Sequence, residues 1–197
     1  MNRYDFIADY YDTLLSKLEK KTLRSLRERF VPGIEGKTLD LAAGTGNNIE
    51  FYPGASTVTL IDKSEKMLKK AQEKATEDRG DLTLDFVKAP VESLPFDDES
   101  FDTVLSIDVF CSVDSAGDAL DEVYRVLKTG GKAVFVEHMR TGKPVTDFFL
   151  SIVTVFTYLF AGSSMIRPVD DYIRNSQLHV ERIVDLENSF KYFLCKK

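Results

Sequence analysis

At 197 residues the chain is long enough for one hydrophobic core and short for two, and its 43% hydrophobic, 11% aromatic and 29% charged residues exclude a disordered tail, a collagen-like repeat and a disulfide-dense scaffold. Its 32 acidic against 26 basic side chains leave a net charge of -6, the opposite of the basic excess that nucleic-acid binding calls for, so no nucleic-acid partner is expected. Two distant cysteines, Cys111 and Cys195, and no charged-then-apolar leader argue against secretion and for a cytoplasmic location.

From Asp9 to Phe30, Leu14, Leu15, Leu18, Leu23, Leu26 and Phe30 recur among charged residues at helical spacing, ending at Val31-Pro32-Gly33. Short apolar runs then alternate with helical stretches. Thr38–Ala42, Thr57–Asp62, Leu82–Val87, Asp102–Ile107 and Lys132–Glu137 read as strands, rich in Val, Leu, Ile, Thr and Phe. Ser64 caps a helix carrying Met67, Leu68, Ala71 and Ala75 that stops near Gly80. Asp114 or Ser115 caps another, carrying Leu120, Val123, Tyr124 and Leu127, that stops at Gly130-Gly131. Strands separated by helices must pair in parallel, because only a long crossover returns the chain to the same end of a sheet. A doubly wound, mostly parallel α/β sheet follows.

The last portion has a different rhythm. Phe148 to Ile166 is a run of 19 residues without a charge, inside the span range of about 17–25 residues. Ser, Thr and Gly interrupt it, and a span there would tear the final strands from the sheet, so a buried helix plus loop is expected. Val180–Leu186 and Lys191–Cys195 are separated only by Glu187-Asn188-Ser189-Phe190, which is hairpin spacing and adds an antiparallel C-terminal strand.

The chemistry concentrates at Thr38-Leu39-Asp40-Leu41-Ala42-Ala43-Gly44-Thr45-Gly46-Asn47-Asn48, a strand entering a small-residue turn. Glycine there lets backbone approach a ligand that a Cβ would hold off. With Gly44 as the middle glycine of a dinucleotide fingerprint, Ala42 and Asn47 stand where its other two glycines belong, which argues against a pyrophosphate. Asp62 ends the second strand 18 residues after Gly44, where a carboxylate can accept from both hydroxyls of a ribose. A ribosyl cofactor without a diphosphate is expected.

Leu39 to Gly46, Ile61-Asp62-Lys63-Ser64-Glu65-Lys66-Met67-Leu68, Leu94-Pro95-Phe96-Asp97-Asp98-Glu99-Ser100-Phe101-Asp102 and Glu122-Val123-Tyr124-Arg125-Val126-Leu127-Lys128-Thr129-Gly130-Gly131 resemble, in order, the motifs of class I S-adenosylmethionine-dependent methyltransferases. The Phe6-Ile7-Ala8-Asp9-Tyr10-Tyr11-Asp12 start is similar to the branch containing the quinone-biosynthesis and other small-molecule methyltransferases. The resemblance implies a Rossmann-like, seven-stranded sheet with an antiparallel last strand, and S-adenosylmethionine as cofactor with S-adenosylhomocysteine as product. It divides the chain into an N-terminal helical lid (1–35), a cofactor-binding core (36–143), an apolar helical insert (144–178) and a C-terminal hairpin (179–197).

Carried over residue by residue, the resemblance implies Asp40 around the methionine amine, Ala42, Gly44, Gly46 and Asn47 beside the cofactor backbone, Asp62 on the ribose, and Lys63 and Met67 beside the adenosine. Pro90 stands where the family usually has an adenine-reading aspartate, leaving the Val91 amide or the Glu92 carboxylate for that contact. Ser106, Ile107 and Asp108 are implied as cofactor contacts and Tyr11 as a lid contact. Methyl transfer is an in-line displacement in which alignment and water exclusion matter and a base is optional. His138 and Asp108 are the candidate acid–base residues, beside Glu137, and Tyr10, Phe110, His138, Phe149 and Phe156 are candidate acceptor contacts. Cys111 reads as a small buried hydrophobe. His138 and His179 show no metal-ligand spacing, and no metal is expected. The expected function is methyl transfer to a small, hydrophobic acceptor. The alternatives are lipid or quinone methylation at a membrane surface, and a non-catalytic module that binds S-adenosylmethionine.

Overall fold

The computed structural model describes residues 22–54, 56–75, 81–161, 163–164 and 166–197. Seven strands, β1 (Lys37–Asp40), β2 (Thr57–Asp62), β3 (Thr83–Lys88), β4 (Phe101–Ile107), β5 (Leu127–His138), β6 (His179–Asp185) and β7 (Phe190–Lys196), form one sheet in the order β3-β2-β1-β4-β5-β7-β6. β1 to β5 pair in parallel, while β7 slots between β5 and β6 antiparallel to both, which leaves β6 as the outer strand. β4 is buried along most of its length, as a strand covered on both faces must be, whereas β3 and β6 at the edges are only partly buried. The strand order reverses at β1, with β2 on one side and β4 on the other, and the crevice above that switch point is where such sheets bind ligands.

Helices cover both faces. On one, α3 (Ala116–Val126) and α5 (Val169–Arg174) bury Leu120, Val123 and Ile173 against Leu39, Val104, Phe135 and Phe193. On the other, α1 (Arg24–Phe30) buries Leu26 with Leu60, Leu105, Val136 and Phe190. The earlier part of the Asp9–Phe30 helix, up to residue 21, lies outside the described residues. α2 (Glu65–Lys74) is capped by Ser64, whose Oγ accepts from the Met67 amide at 3.2 Å. Ser115, not Asp114, caps α3 by accepting from the Asp118 amide at 3.3 Å.

Some boundaries differ from the sequence reading. α2 ends at Lys74, ahead of Gly80. α3 ends at Val126 and β5 starts at Leu127 rather than Lys132, so the Gly130-Gly131 pair lies inside a strand and does not stop a helix. The register between β4 and β5 shifts there, Gly130 takes φ +78°, and a Cβ on Gly131 would lie 2.8 Å from the Lys128 carbonyl oxygen. The glycines make an irregular strand entry possible. β1 ends at Asp40 instead of Ala42, because Ala42 turns away with φ +44°.

The larger correction concerns α4 (Pro144–Ala161), expected as a buried helix. Val145, Phe148, Phe149, Ile152, Val153 and Val155 are exposed, with Phe148 and Phe149 each 62% accessible. Its half-buried positions are Asp147, Leu150, Ser151, Thr154 and Thr157. Asp147 anchors the first turn by accepting from the Thr141 hydroxyl and amide, each at 2.7 Å, and the Gly142 amide at 3.0 Å. Among the described side chains of α4, the partly covered positions are mostly polar and the exposed ones mostly apolar. No helix among the described residues is long and apolar enough to cross a membrane.

Candidate active site at the carboxyl edge of the sheet

The site begins where β1 runs out. The Leu41 amide still donates to the Leu105 carbonyl at 2.9 Å, after which Ala42 bends the chain and the Ala43 amide reaches the Ile61 carbonyl at 2.8 Å. Gly44 (φ +57°) and Gly46 (φ +77°) both occupy the left-handed region, for different reasons. A Cβ on Gly46 would lie 2.6 Å from Ile49 Cδ1 and 2.9 Å from the Ala71 Cβ, so Gly46 packs the turn onto α2. A Cβ on Gly44 would have only the Ala42 carbonyl within 4 Å, at 3.9 Å. Gly44 is the open side of the turn. Lys74 Nζ donates to Asn47 Oδ1 at 2.6 Å and to Thr45 Oγ1 at 3.0 Å, tying the turn to the end of α2.

Asp62 faces that turn. Its Oδ2 accepts from the Gly44 amide at 3.0 Å and its Oδ1 from the Ser64 amide at 2.7 Å. A cleft opens beside it. Ala42 and Gly44 line it from the turn after β1, Asp62 from the end of β2, Lys63 from the segment between β2 and α2, Met67 from α2, Ala89, Val91 and Glu92 from the segment after β3, and Asp108, Val109, Ser112 and Val113 from the segment after β4. The lining mixes apolar walls with a few polar groups, the usual composition of a small-molecule site.

Beneath the turn, Asp40 is fully buried. The Tyr52 hydroxyl and Asn48 Nδ2, the latter at 2.8 Å, both donate to its Oδ2. Its Oδ1 receives no hydrogen bond from the described residues. Burial pushes the Asp40 pKa up to about 6, against the opposing effect of those two donors and of Arg27. Arg27 Nε of α1 donates to Asn48 Oδ1 at 2.8 Å.

The wall after β4 is braced from below. Glu137 of β5, fully buried, accepts from the Ser106 hydroxyl at 2.6 Å and from the Val109 and Phe110 amides, each at 3.0 Å. Burial raises its pKa to about 8. The turn it holds contains Asp108 at φ +59°. Arg167 adds a second clamp, its Nη1 donating to the Phe110 carbonyl at 3.1 Å and the Val113 carbonyl at 2.6 Å. Glu92 Oε1 accepts from the Asp114 and Ser115 amides at 2.7 and 3.4 Å, where the N-terminus of α3 favours an anion. Lys63 Nζ lies 3.5 Å from the Asp114 carboxylate.

Of the residues singled out from sequence, Ala42, Gly44, Asp62, Lys63, Met67, Val91, Glu92 and Asp108 meet at the cleft. Asp40 lies under it. Gly46 and Asn47 turn toward α2, Pro90 is exposed outside the lining, and Ser106 and Ile107 are buried in the sheet. Phe110 is buried edge-on against Phe135, with ring centroids 5.5 Å apart. His138 is buried with its ring edge-on to Phe190, its Nδ1 has no hydrogen bond among the described residues, and burial lowers its pKa. Phe149 is on the outward face of α4. Phe156 lies in α4 with its side chain outside the described positions, and Tyr10 and Tyr11 lie outside the described residues altogether. Cys111 is buried, and burial raises its thiol pKa well above the ordinary value. Sequence reading missed Asn48, Tyr52 and Arg27, and the bracing roles of Glu137 and Arg167. The available signal was a buried acid in the turn, which needs donors nearby.

A doubly wound sheet with this order, carrying a glycine turn and an acid at the end of its second strand, is a Rossmann-like architecture, of the kind that places ligands at the carboxyl edge of its strands. The family described as a methyltransferase domain matches residues 39–135. A demethylmenaquinone methyltransferase of Clavibacter sepedonicus is 37% identical over 68% of this chain and 56% of its own length. A ubiquinone/menaquinone biosynthesis C-methyltransferase of Geotalea daltonii is 31% identical over 86% of this chain and 78% of its own. Among solved structures, an S-adenosylmethionine-dependent methyltransferase of Thermotoga maritima superposes with a TM-score of 0.72 at 20% identity, covering 99% of this chain and 98% of that one. The chain thus spans little more than half the length of the Clavibacter relative. It belongs to the S-adenosylmethionine-dependent methyltransferase family.

Proposed function

We propose that this chain transfers a methyl group from S-adenosylmethionine to a small, apolar acceptor in the cytoplasm. The observation that carries the reading is the pairing of Asp62 with the Gly44 amide at the lip of the cleft, which sets a carboxylate suited to a sugar beside a turn glycine whose backbone is open to a ligand. The fully buried Asp40 Oδ1, with no donor of its own among the described residues, suits the methionine ammonium of the same cofactor.

When bound, S-adenosylmethionine supplies a methyl group on a sulfonium centre. The residues of the chain align it and exclude water. Asp62 accepts from the ribose hydroxyls, Gly44 gives the backbone clearance, and Met67 and Val91 bound the base. The Val91 amide or Glu92 Oε2 reads the adenine edge, since Glu92 Oε1 is engaged by the start of α3. Asp108 at the cleft is the group available to an acceptor that must lose a proton, with His138 buried beside Phe190 outside the lining. The insert at 144–178 forms the acceptor side. The apolar acceptor is supported by the names of the Clavibacter and Geotalea relatives, both enzymes of quinone chemistry.

A second reading, in which the acceptor is met at a membrane surface, is favoured by the outward Phe148, Phe149 and Ile152 of α4. Calorimetry with S-adenosylhomocysteine, followed by transfer of radiolabelled methyl to a demethylmenaquinone or an apolar thiol with and without vesicles, tests both. Labelling in free solution supports the first reading and labelling only with vesicles the second. Binding without labelling of any extract supports a non-catalytic module.

A further inference from the structure

The buried polar residues under the glycine turn form a chain that begins on α1 and ends at Asp40. Arg27, Asn48, Tyr52 and Asp40 are all buried, and Tyr52 packs within an apolar core cluster that includes Leu26, Ile49 and Leu60. Such groups cost free energy unless each is satisfied, and a linked set fixes directions as well as contacts. An asparagine amide can face either way, and here one orientation alone serves both neighbours. Arg27 Nε has only donors to offer, so Asn48 must present Oδ1 to it, and Nδ2 is then turned toward Asp40. The Tyr52 hydroxyl donates to the same carboxylate oxygen that Asn48 Nδ2 reaches. Two donors from the segment 48–52 therefore converge on Oδ2, and none from the described residues on Oδ1.

Asymmetry of that kind orients a carboxylate. Without the two donors, Asp40 would be free to rotate about χ2 and exchange its oxygens. With them, one oxygen is engaged by the protein and the other is left desolvated and without a donor among the described residues, so that it can serve as an acceptor for a cation. We propose that Tyr52 and Asn48, with Arg27 setting the Asn48 amide, are positioning residues that aim Asp40 Oδ1 at the ammonium of the cofactor's methionine moiety. The inference rests on the S-adenosylmethionine reading above. One consequence is that α1 contributes to cofactor affinity without touching the cofactor, through a path of two hydrogen bonds.

The test separates the amino-acid end of the cofactor from its nucleoside end. S-adenosylhomocysteine carries the ammonium, and 5′-methylthioadenosine carries the same nucleoside without it. Binding of both is measured by calorimetry for the wild-type chain and for Tyr52→Phe, Asn48→Ala and Arg27→Met. Tyr52→Phe and Asn48→Ala are expected to weaken S-adenosylhomocysteine about tenfold, the loss of one hydrogen bond to a charged group, and Arg27→Met severalfold. All three should bind 5′-methylthioadenosine within about twofold of wild type, because nothing in the nucleoside end changes. Equal losses for both ligands mean that the three residues only hold the fold, and no loss for either means that Asp40 needs no aiming. Each result overturns the positioning proposal and leaves the cofactor reading standing. A wild-type chain that binds neither ligand overturns the cofactor reading and this proposal with it.

Discussion

Asp62 Oδ2 lies 3.0 Å from the Gly44 amide nitrogen, so the end of β2 and the turn after β1 are joined by one hydrogen bond at the rim of the cleft. The same carboxylate accepts from the Ser64 amide and so orders the entry to α2. Asp62→Asn keeps the shape but replaces an anion with an amide. It also leaves either the Gly44 or the Ser64 amide facing an NH₂ donor, so it is expected to lower unfolding free energy by about 1–3 kcal/mol and to raise the dissociation constant of S-adenosylhomocysteine about ten- to hundredfold by calorimetry, while Asp62→Ala matches that stability loss without an amide in the site. An unchanged affinity would remove Asp62 from the site.

The two glycines of the turn should fail in different ways. Gly44→Ala adds a methyl group where there is room in the free protein, so the fold loses only the roughly 1–2 kcal/mol of a left-handed alanine, while backbone approach by ligand is blocked. Gly46→Ala drives a methyl group into Ile49 and Ala71 and should add a further cost of about 1–3 kcal/mol to unfolding. Urea unfolding and calorimetry on both variants check this. The expected pattern is a binding defect with modest destabilisation for Gly44→Ala and a dominant stability defect for Gly46→Ala.

Glu137 makes stability depend on pH in an unusual direction for a carboxylate. Its folded pKa, about 8, stands above the ordinary 4.5, so the folded state holds the proton more tightly than the unfolded one. Its stabilising contribution is complete below about pH 4.5 and is lost as pH rises through about 8. Glu137→Gln can still accept from the Val109 and Phe110 amides and can donate its NH₂ to the Ser106 hydroxyl. Thermal melts should find the variant close to wild type at pH 5 and more stable at pH 9, by an amount of the order of a few kcal/mol. A variant destabilised equally at both values would refute the buried-proton account.

Asp40 carries a pH dependence into ligand binding. Its carboxyl is held at about 6, chiefly by burial, among Arg27, Asp62 and Tyr52. Only the ionised form offers a charge to the ammonium. The affinity for S-adenosylhomocysteine should therefore fall by up to about tenfold per pH unit below 6, and that for 5′-methylthioadenosine should not. Calorimetry from pH 5 to 8 reads both curves, and parallel curves would count against Asp40 as the ammonium contact.

The outward face of α4 is exposed, so charge placed there should leave the fold intact. Phe148→Asp with Phe149→Asp is expected to change unfolding free energy by no more than about 0.5 kcal/mol. On the membrane reading, the same double variant should lose flotation with anionic lipid vesicles. Flotation equal to a floating wild type would remove this face as the membrane contact, and a wild type that does not float would leave free solution as the place of reaction.

Much of this protein is written locally. Alternating apolar runs and helical stretches, Ser64 as a cap, the glycine turn after Asp40 and the acid at Asp62 depend on neighbours a few residues away, and these features stand in the structure where the sequence puts them. What tertiary structure alone decided are the partners of buried polar groups. Glu137 reaches Ser106 because β5 pairs with β4, Arg27 reaches Asn48 because α1 packs across the sheet face, and Glu92 faces the start of α3 because β3 and β4 lie on opposite sides of β1. The direction of α4 belongs to the same class: an uncharged run has to be apolar somewhere, but which stripe turns inward depends on where Asp147 is anchored. Periodicity reports how a segment divides its own faces. Which face is covered, and by what, is set by chain crossings that bring together residues tens of positions apart.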